Sequence, residues 1–230
     1  MLKVSIAPDG KEYPLPSEEE REKEQEILKQ ITAEQIALGR KIVAVQGLGF
    51  VGCVMATVVA DATDEDGKPL YFVHGHQRAS QRSYWKVPVI NSGIPPVNSS
   101  DPEVPAIFHR TVKEKGNFRA TSDESVYGLV DIVVVDIQLD ATKPAFGDAE
   151  QGYCDITAFR EGIRTLGKYI QPECLVLVET TVPPGTCEKV VKPILEEEFT
   201  KRGIDIEKNP PLIAHSYERV MPGAHYVASI

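Results

Sequence analysis

The chain has 230 residues, 42% hydrophobic and 26% charged, which suits one large domain or two small ones with a true core. A formal net charge of −9 excludes sequence-independent attraction to a nucleic-acid backbone, although local structure can still bind an anion. Cys53, Cys154, Cys174 and Cys187 are widely spaced with no C-x-x-C pair, so no metal site is expected from them. With no basic flank leading into an apolar N-terminal segment, the reading is a cytoplasmic protein with reduced thiols and no membrane partner.

Residues 1–40 read as an N-terminal helical extension. Ser17 and Glu20 have capping-box spacing, and Ile27, Ile31 and Leu38 fall roughly along one face, which predicts an amphipathic helix over 17–38. Its simplest role is a solvated helix docked by one stripe.

Residues 41–230 read as one domain. Ile42-Val43-Ala44-Val45 is an apolar run that breaks into Gln46-Gly47-Leu48-Gly49-Phe50-Val51-Gly52, with glycines at G-x-G-x-x-G spacing, and residues 54–60 follow as a buried helix. Gly47 permits a tight turn out of the strand, Gly49 lets the backbone approach a pyrophosphate, and Gly52 lets the helix pack on the strand. The N–H groups of the first helical turn, around Phe50, Val51 and Gly52, then face the phosphates, and the helix dipole favours negative charge there.

Residues 70–73 read as the second strand. A dinucleotide site carries an acidic residue at this strand's end for the ribose hydroxyls. Here His74-Gly75-His76-Gln77-Arg78 follows instead. Gln77 can bond a hydroxyl and Arg78 or Arg82 could meet a 2′-phosphate, so NAD is expected and NADP is not excluded; the simpler reading of both arginines is exposed surface charge. His74 and His76 read as strand-end surface residues. Residues 87–105 suggest a long surface loop, a helix is expected over 101–115 with Gly116 as its stop, and 118–120 is a short strand. Thr121-Ser122-Asp123 caps a short helix, and residues 131–135 form an apolar strand ending near Asp136, Gln138 and Asp140. Residues 141–152 read as a flexible connection. Asp155 caps a helix bearing Ile156, Phe159, Ile163 and Leu166, residues 175–178 form a strand, 187–201 a helix and 211–214 a last strand. This alternation predicts an α/β, Rossmann-like, doubly wound parallel sheet with helices on both faces. Ligands bind beyond the carboxyl ends of such strands, where the Gly47 turn, Gln138 and Thr181 should converge.

Three stretches together resemble the nucleotide-sugar 6-dehydrogenases, which include the UDP-glucose, UDP-N-acetylhexosamine and GDP-mannose enzymes. Gly47-Leu48-Gly49-Phe50-Val51-Gly52 is similar to the family's G-L-G-Y-V-G, Glu179-Thr180-Thr181-Val182-Pro183-Pro184-Gly185-Thr186 to its S-T-V-P-P-G-T, and Ser216-Tyr217-Glu218-Arg219-Val220-Met221-Pro222-Gly223 to P-E-R-V-x-P-G. Ile90-Asn91-Ser92-Gly93 and Ala120-Thr121-Ser122-Asp123 fall where members carry I-N-x-G and T-T-D. The resemblance implies NAD-dependent oxidation of a sugar C6 alcohol to the carboxylate in two hydride transfers, with a cysteine holding the aldehyde and then a thioester. It matches Thr181 to a threonine that helps hold the catalytic water and Glu218 to a glutamate near the reacting carbon. Gln77 departs from the usual aspartate, Gln138-Leu139-Asp140 from P-T-P beside the nicotinamide, and Tyr217 from proline. Members continue into a dimer-forming helix and a second domain that carries the nucleophilic cysteine, which neither Cys53 nor Cys187 matches. The resemblance therefore implies an NAD-binding domain of a polysaccharide-biosynthesis enzyme, inactive without a C-terminal half, with a nucleotide-sugar substrate and a homodimeric or higher assembly. The alternative is a non-catalytic nucleotide-binding or regulatory module whose N-terminal helix recruits a partner.

Overall fold

The computed structural model describes residues 3–142 and 152–230. An antiparallel hairpin, β1 (Val4–Ile6) with β2 (Glu12–Pro14), precedes α1 (Glu18–Ala37). The expected capping box opens that helix: the Ser17 N–H donates to Glu20 Oε2 at 2.8 Å and the Glu20 N–H to Ser17 Oγ at 3.3 Å. Its buried stripe, however, is rotated from the expected one. Leu28 and Thr32 are buried with Ile31 beside them, while Ile27 and Leu38 are exposed. A threonine occupies the inner face because its hydroxyl lies 2.9 Å from Nε2 of buried His74, a pairing that a count of apolar residues misses. Arg119 donates to Glu24 at 2.8 Å and Gln25 to Asp123 at 3.1 Å, tying α1 to the ends of the sheet.

The chain then alternates: β3 (Lys41–Gln46), α2 (Phe50–Asp61), β4 (Tyr71–His76), α3 (Lys86–Asn91), α4 (Glu103–His109) running into a π-turn at Arg110–Glu114, β5 (Phe118–Thr121), a 3₁₀ turn at Glu124–Leu129 and β6 (Ile132–Val135). Next come a small hairpin of β7 (Ala141–Thr142) and β8 (Tyr153–Cys154), α5 (Thr157–Tyr169), β9 (Leu175–Val178), a π-turn at Cys187–Val191, α6 (Lys192–Lys201) and β10 (Leu212–His215). Six strands form one parallel sheet in the order β10-β9-β6-β3-β4-β5. The chain winds outward from β3 through β4 and β5, then returns to the other side for β6, β9 and β10. The order reverses between β3 and β6, and the carboxyl ends of strands at such a switch point are where doubly wound sheets bind ligands.

Both faces of the sheet are covered, which is why its strands read as continuous β-branched runs. Ile42, Ala44, Phe72, Val133 and Val176 join a core with α1, α5 and α6, whereas Val43, Val45, Val73 and Val134 join the core beneath α2, α3 and α4. The same double covering corrects the expectation for β4, which runs on through both histidines. His74 and His76 are buried, not on the surface, and His76 Nδ1 lies 2.7 Å from the Tyr127 hydroxyl. Burial holds His74 down at about 3 and His76 at about 4, so both imidazoles are neutral near pH 7.

The expected loop at 87–105 opens instead with α3. Its last residue, Asn91, donates to the Ala120 carbonyl at 2.9 Å and accepts from the Ala120 N–H at 2.8 Å, imitating a neighbouring strand at the edge of β5. Most of the connection expected at 141–152 falls on residues outside those described. Among the described residues, no helix is long and apolar enough to cross a membrane, and no group of three or more His, Cys, Asp or Glu side chains is arranged to hold a metal ion.

Candidate functional site

The turn between β3 and α2 is built by its glycines and by the neighbouring strand β6. Gly47 has φ +101°, and a Cβ there would lie 2.4 Å from the Asp136 carbonyl oxygen. At Gly52 a Cβ would lie 2.1 Å from the Gly47 carbonyl oxygen and 2.7 Å from Asp136 Oδ2. Gly49 is different, because a Cβ added to it meets nothing within 4 Å. The first and third glycines therefore serve the fold, while the second leaves open space beside the chain. Gly49 caps α2 without any side-chain hydrogen bond, so no capping side chain claims the first-turn N–H groups of Phe50, Val51 and Gly52. Free N–H groups at a helix N-terminus are the kind of group that meets an anion, and Gly49 leaves open space beside them.

On the β4 side, Gln77 occupies the position where a ribose-binding acid was expected. Its Oε1 accepts from the Leu48 N–H at 3.2 Å and its Nε2 donates to Ser83 Oγ at 3.1 Å. Lys86, which the sequence reading missed, donates to the Leu48 carbonyl at 2.8 Å. Its signal was a lone cation among Tyr84, Trp85 and Val87. Arg78 and Arg82 are exposed on the same loop.

On the other side lie the ends of β6, β9 and β10. Gln138 is exposed and donates to Asp140 at 2.9 Å. Thr180 is buried and structural, its hydroxyl donating to the Ile137 carbonyl at 2.9 Å, whereas Thr181 is exposed at the mouth. Past β10, the partly buried Glu218 accepts from the Val220 N–H. The segment beyond it crosses the start of α2: the buried Tyr226 ring stacks on Phe50 at 4.7 Å between centroids, its hydroxyl donates to the Phe50 carbonyl, and the Val227 N–H donates to Asp101 at 3.0 Å. Asp136, Glu179 and Glu218 form an acidic group at this edge. Burial, then Glu179 and Glu218, push Asp136 up to about 7, and burial with Glu218 pushes Glu179 up to about 7. Asp136 Oδ2 and Glu179 Oε2 are both buried without a hydrogen-bond partner. The sequence reading noted Asp136 as polar but could not see that it packs against α2.

The parallel strands thus bring the Gly47 turn, Gln77, Gln138 and Thr181 to one edge of the sheet, with Glu218 beside them. The cysteines stand apart in character. Burial pushes Cys53 and Cys174 up to about 12 and raises Cys187 as well, so none of the three is an activated thiolate.

A doubly wound parallel sheet with an uncapped helix N-terminus behind a glycine turn, at the switch point, defines a dinucleotide-binding domain. Residues 41–226 match the model of the UDP-glucose/GDP-mannose dehydrogenase family, NAD binding domain. The chain belongs to that family, and its cofactor is NAD. It is similar to the NDP-N-acetyl-D-galactosaminuronic acid dehydrogenase from Methanosarcina mazei Go1, with 34% identity and a TM-score of 0.69 over 87% of this chain and 38% of that one. The UDP-N-acetyl-D-mannosamine dehydrogenase of Pyrococcus horikoshii is 27% identical over 181 residues, 79% of this chain and 37% of that protein. The GDP-mannose dehydrogenase of Pseudomonas aeruginosa, solved as a ternary complex, shares the fold with a TM-score of 0.63 at 21% identity, over 81% of this chain and 38% of that one. The chain thus spans less than two fifths of the length of these relatives.

Proposed function

We propose that this chain is the cofactor half of an enzyme that oxidises the C6 alcohol of a UDP- or GDP-linked sugar to the carboxylate in two successive hydride transfers. The observation that carries the reading is the presence at one sheet edge of an uncapped helix N-terminus, the Thr181 hydroxyl and the Glu218 carboxylate. Bound NAD supplies the hydride acceptor. The N–H groups of Phe50, Val51 and Gly52 would hold its diphosphate, Gln77 and Arg78 would serve its ribose, and Gln138 would serve its nicotinamide end. Thr181 orients a water, and Glu218 steers proton transfer to or from the reacting carbon's substituents. Asp136 and Glu179, each near half-protonated at neutral pH, leave this edge able to take up a proton as well as release one.

The similarity to enzymes named for UDP-N-acetyl-D-mannosamine and for an NDP-N-acetyl-D-galactosaminuronic acid favours a UDP-linked N-acetylhexosamine as the substrate class. The raised thiols of Cys53, Cys174 and Cys187 favour a nucleophile other than these three, which the proposal assigns to a C-terminal domain; a homodimeric or higher assembly belongs to the same reading. The four unpaired cysteines fit a cytoplasmic setting, and polysaccharide biosynthesis is the role that this substrate class suggests. The test is to supply the 230-residue chain with NAD and UDP-N-acetylmannosamine. Calorimetry should register NAD binding while no NADH forms. Turnover by this chain alone contradicts the need for a further domain, and absence of NAD binding contradicts the cofactor role.

A further inference from the structure

The segment beyond Glu218 folds back on itself where it meets the start of α2. The Ser229 hydroxyl accepts from the Met221 N–H at 2.9 Å and donates to the Tyr226 carbonyl at 2.7 Å, which closes a small loop over 221–229. Asp101 anchors that loop. Its buried carboxylate accepts from the Val227 N–H at 3.0 Å through one oxygen and from the Glu103 N–H, at the head of α4, at 2.9 Å through the other. The anchored loop carries Tyr226 into the core beside α2, where its wholly buried ring lies nearly parallel to that of Phe50, at 14° between planes and 4.7 Å between centroids.

The Tyr226 hydroxyl donates to the Phe50 carbonyl. That carbonyl and the Val51 N–H belong to one planar peptide unit. The Val51 N–H is in turn one of the first-turn donors of α2 that a helix leaves without an internal partner. A hydrogen bond accepted on the oxygen side of a peptide unit fixes the direction of its N–H and polarises it, so the N–H donates more strongly on the other side. The tyrosine therefore grips the turn by its carbonyl and leaves the donor side clear: Phe50 keeps 40% of its surface, and a Cβ on Gly49 meets nothing within 4 Å.

We propose that Tyr226 is a positioning residue for NAD, which sets the Val51 N–H toward the diphosphate through the shared Phe50–Val51 peptide and not by touching the cofactor. The inference rests on the diphosphate meeting the first turn of α2, as proposed above. It gives the stretch after the third motif a task of its own, since that stretch braces a turn 176 residues earlier in the chain.

Tyr226→Phe tests it, because this variant keeps the stacked ring and removes only the hydroxyl. Calorimetric titration should show the Kd for NAD rising by roughly three- to tenfold. In the ¹⁵N-labelled variant without NAD, the Val51 amide proton should move upfield while the remaining spectrum stays that of the folded chain. A tyrosine that only packs would lower Tm and move neither reading. Tyr226→Ala, which removes ring and hydroxyl together, should weaken NAD binding at least as much. NAD affinity equal to that of the unmodified chain in either folded variant overturns the proposal and leaves the cofactor site standing. Tighter binding also overturns it, because the segment is then a cover over the turn and not a brace. Absence of NAD binding by the unmodified chain overturns the cofactor placement itself, and the brace with it.

Discussion

Replacing Asp136 with asparagine separates the electrostatic description of the site from its geometry, because the two side chains have nearly the same size. The carboxyl is pushed from 3.8 up to about 7, first by burial and then by Glu179 and Glu218. The folded state therefore holds the proton more tightly than the unfolded one. The corresponding stability is fully present below about pH 4 and is lost as pH rises through 7. A shift of about three units corresponds to roughly 4 kcal/mol, and residual solvent access reduces this to about 3 kcal/mol. Asp136→Asn removes that cost at pH 8 and changes little at pH 4.5, where the aspartate is already neutral. At about 2–4 °C per kcal/mol for a chain of this size, Tm should rise by about 6–12 °C at pH 8 and by no more than about 2 °C at pH 4.5. Thermal melts followed by circular dichroism provide the comparison. An equal gain at both pH values, or a loss at pH 8, refutes the idea of a destabilising buried charge. NAD should also bind more tightly to the variant at pH 8 if its diphosphate meets the first turn of α2 as proposed, since Asp136 Oδ2 lies against that turn.

His74 and His76 act in the opposite direction. Their folded pKa values lie below 6.5, so they contribute stability above that pH which is lost as pH falls toward 4. They oppose the slope from Asp136 and Glu179, and the loss of Tm between pH 6.5 and 4.5 should be steeper in Asp136→Asn than in the unmodified chain. Gly52→Ala forces a Cβ to within 2.1 Å of the Gly47 carbonyl oxygen; a cost of about 1–3 kcal/mol should lower Tm by about 2–12 °C, and an unchanged melt contradicts the packing. Gly49→Ala meets no protein atom, so its Tm should fall by at most about 2–4 °C while NAD affinity drops by roughly tenfold or more; retained affinity means that the open side of the turn is not where the diphosphate lies. Tyr127→Phe leaves His76 Nδ1 buried without its partner at 2.7 Å and should cost about 1–3 kcal/mol in denaturant unfolding.

What the sequence revealed was local. The β3 run and its three glycines announced the turn, and the three-to-four spacing of Phe159, Ile163 and Leu166 announced α5, in which all three are wholly buried. What it concealed depends on partners distant in the chain. Thr32 and Tyr127 each partner one ring nitrogen of the buried His74 and His76, and periodicity carries no sign of such pairings. Lys86 reaches the glycine turn from 38 residues away, and Asp136 touches α2 only because β6 lies beside β3. The rotated face of α1 has the same origin, since the threonine facing inward answers a histidine on β4. Residue types at the ends of strands were legible as candidates; their environments required the strand order.

The most direct measurement of the backbone cradle is the amide NMR spectrum of the ¹⁵N-labelled chain titrated with NAD. The expected result is that the largest shifts fall on Gly49, Phe50, Val51 and Gly52, because their N–H groups acquire a phosphate acceptor. Shifts confined to other parts of the sheet edge, with these four amides unmoved, contradict it.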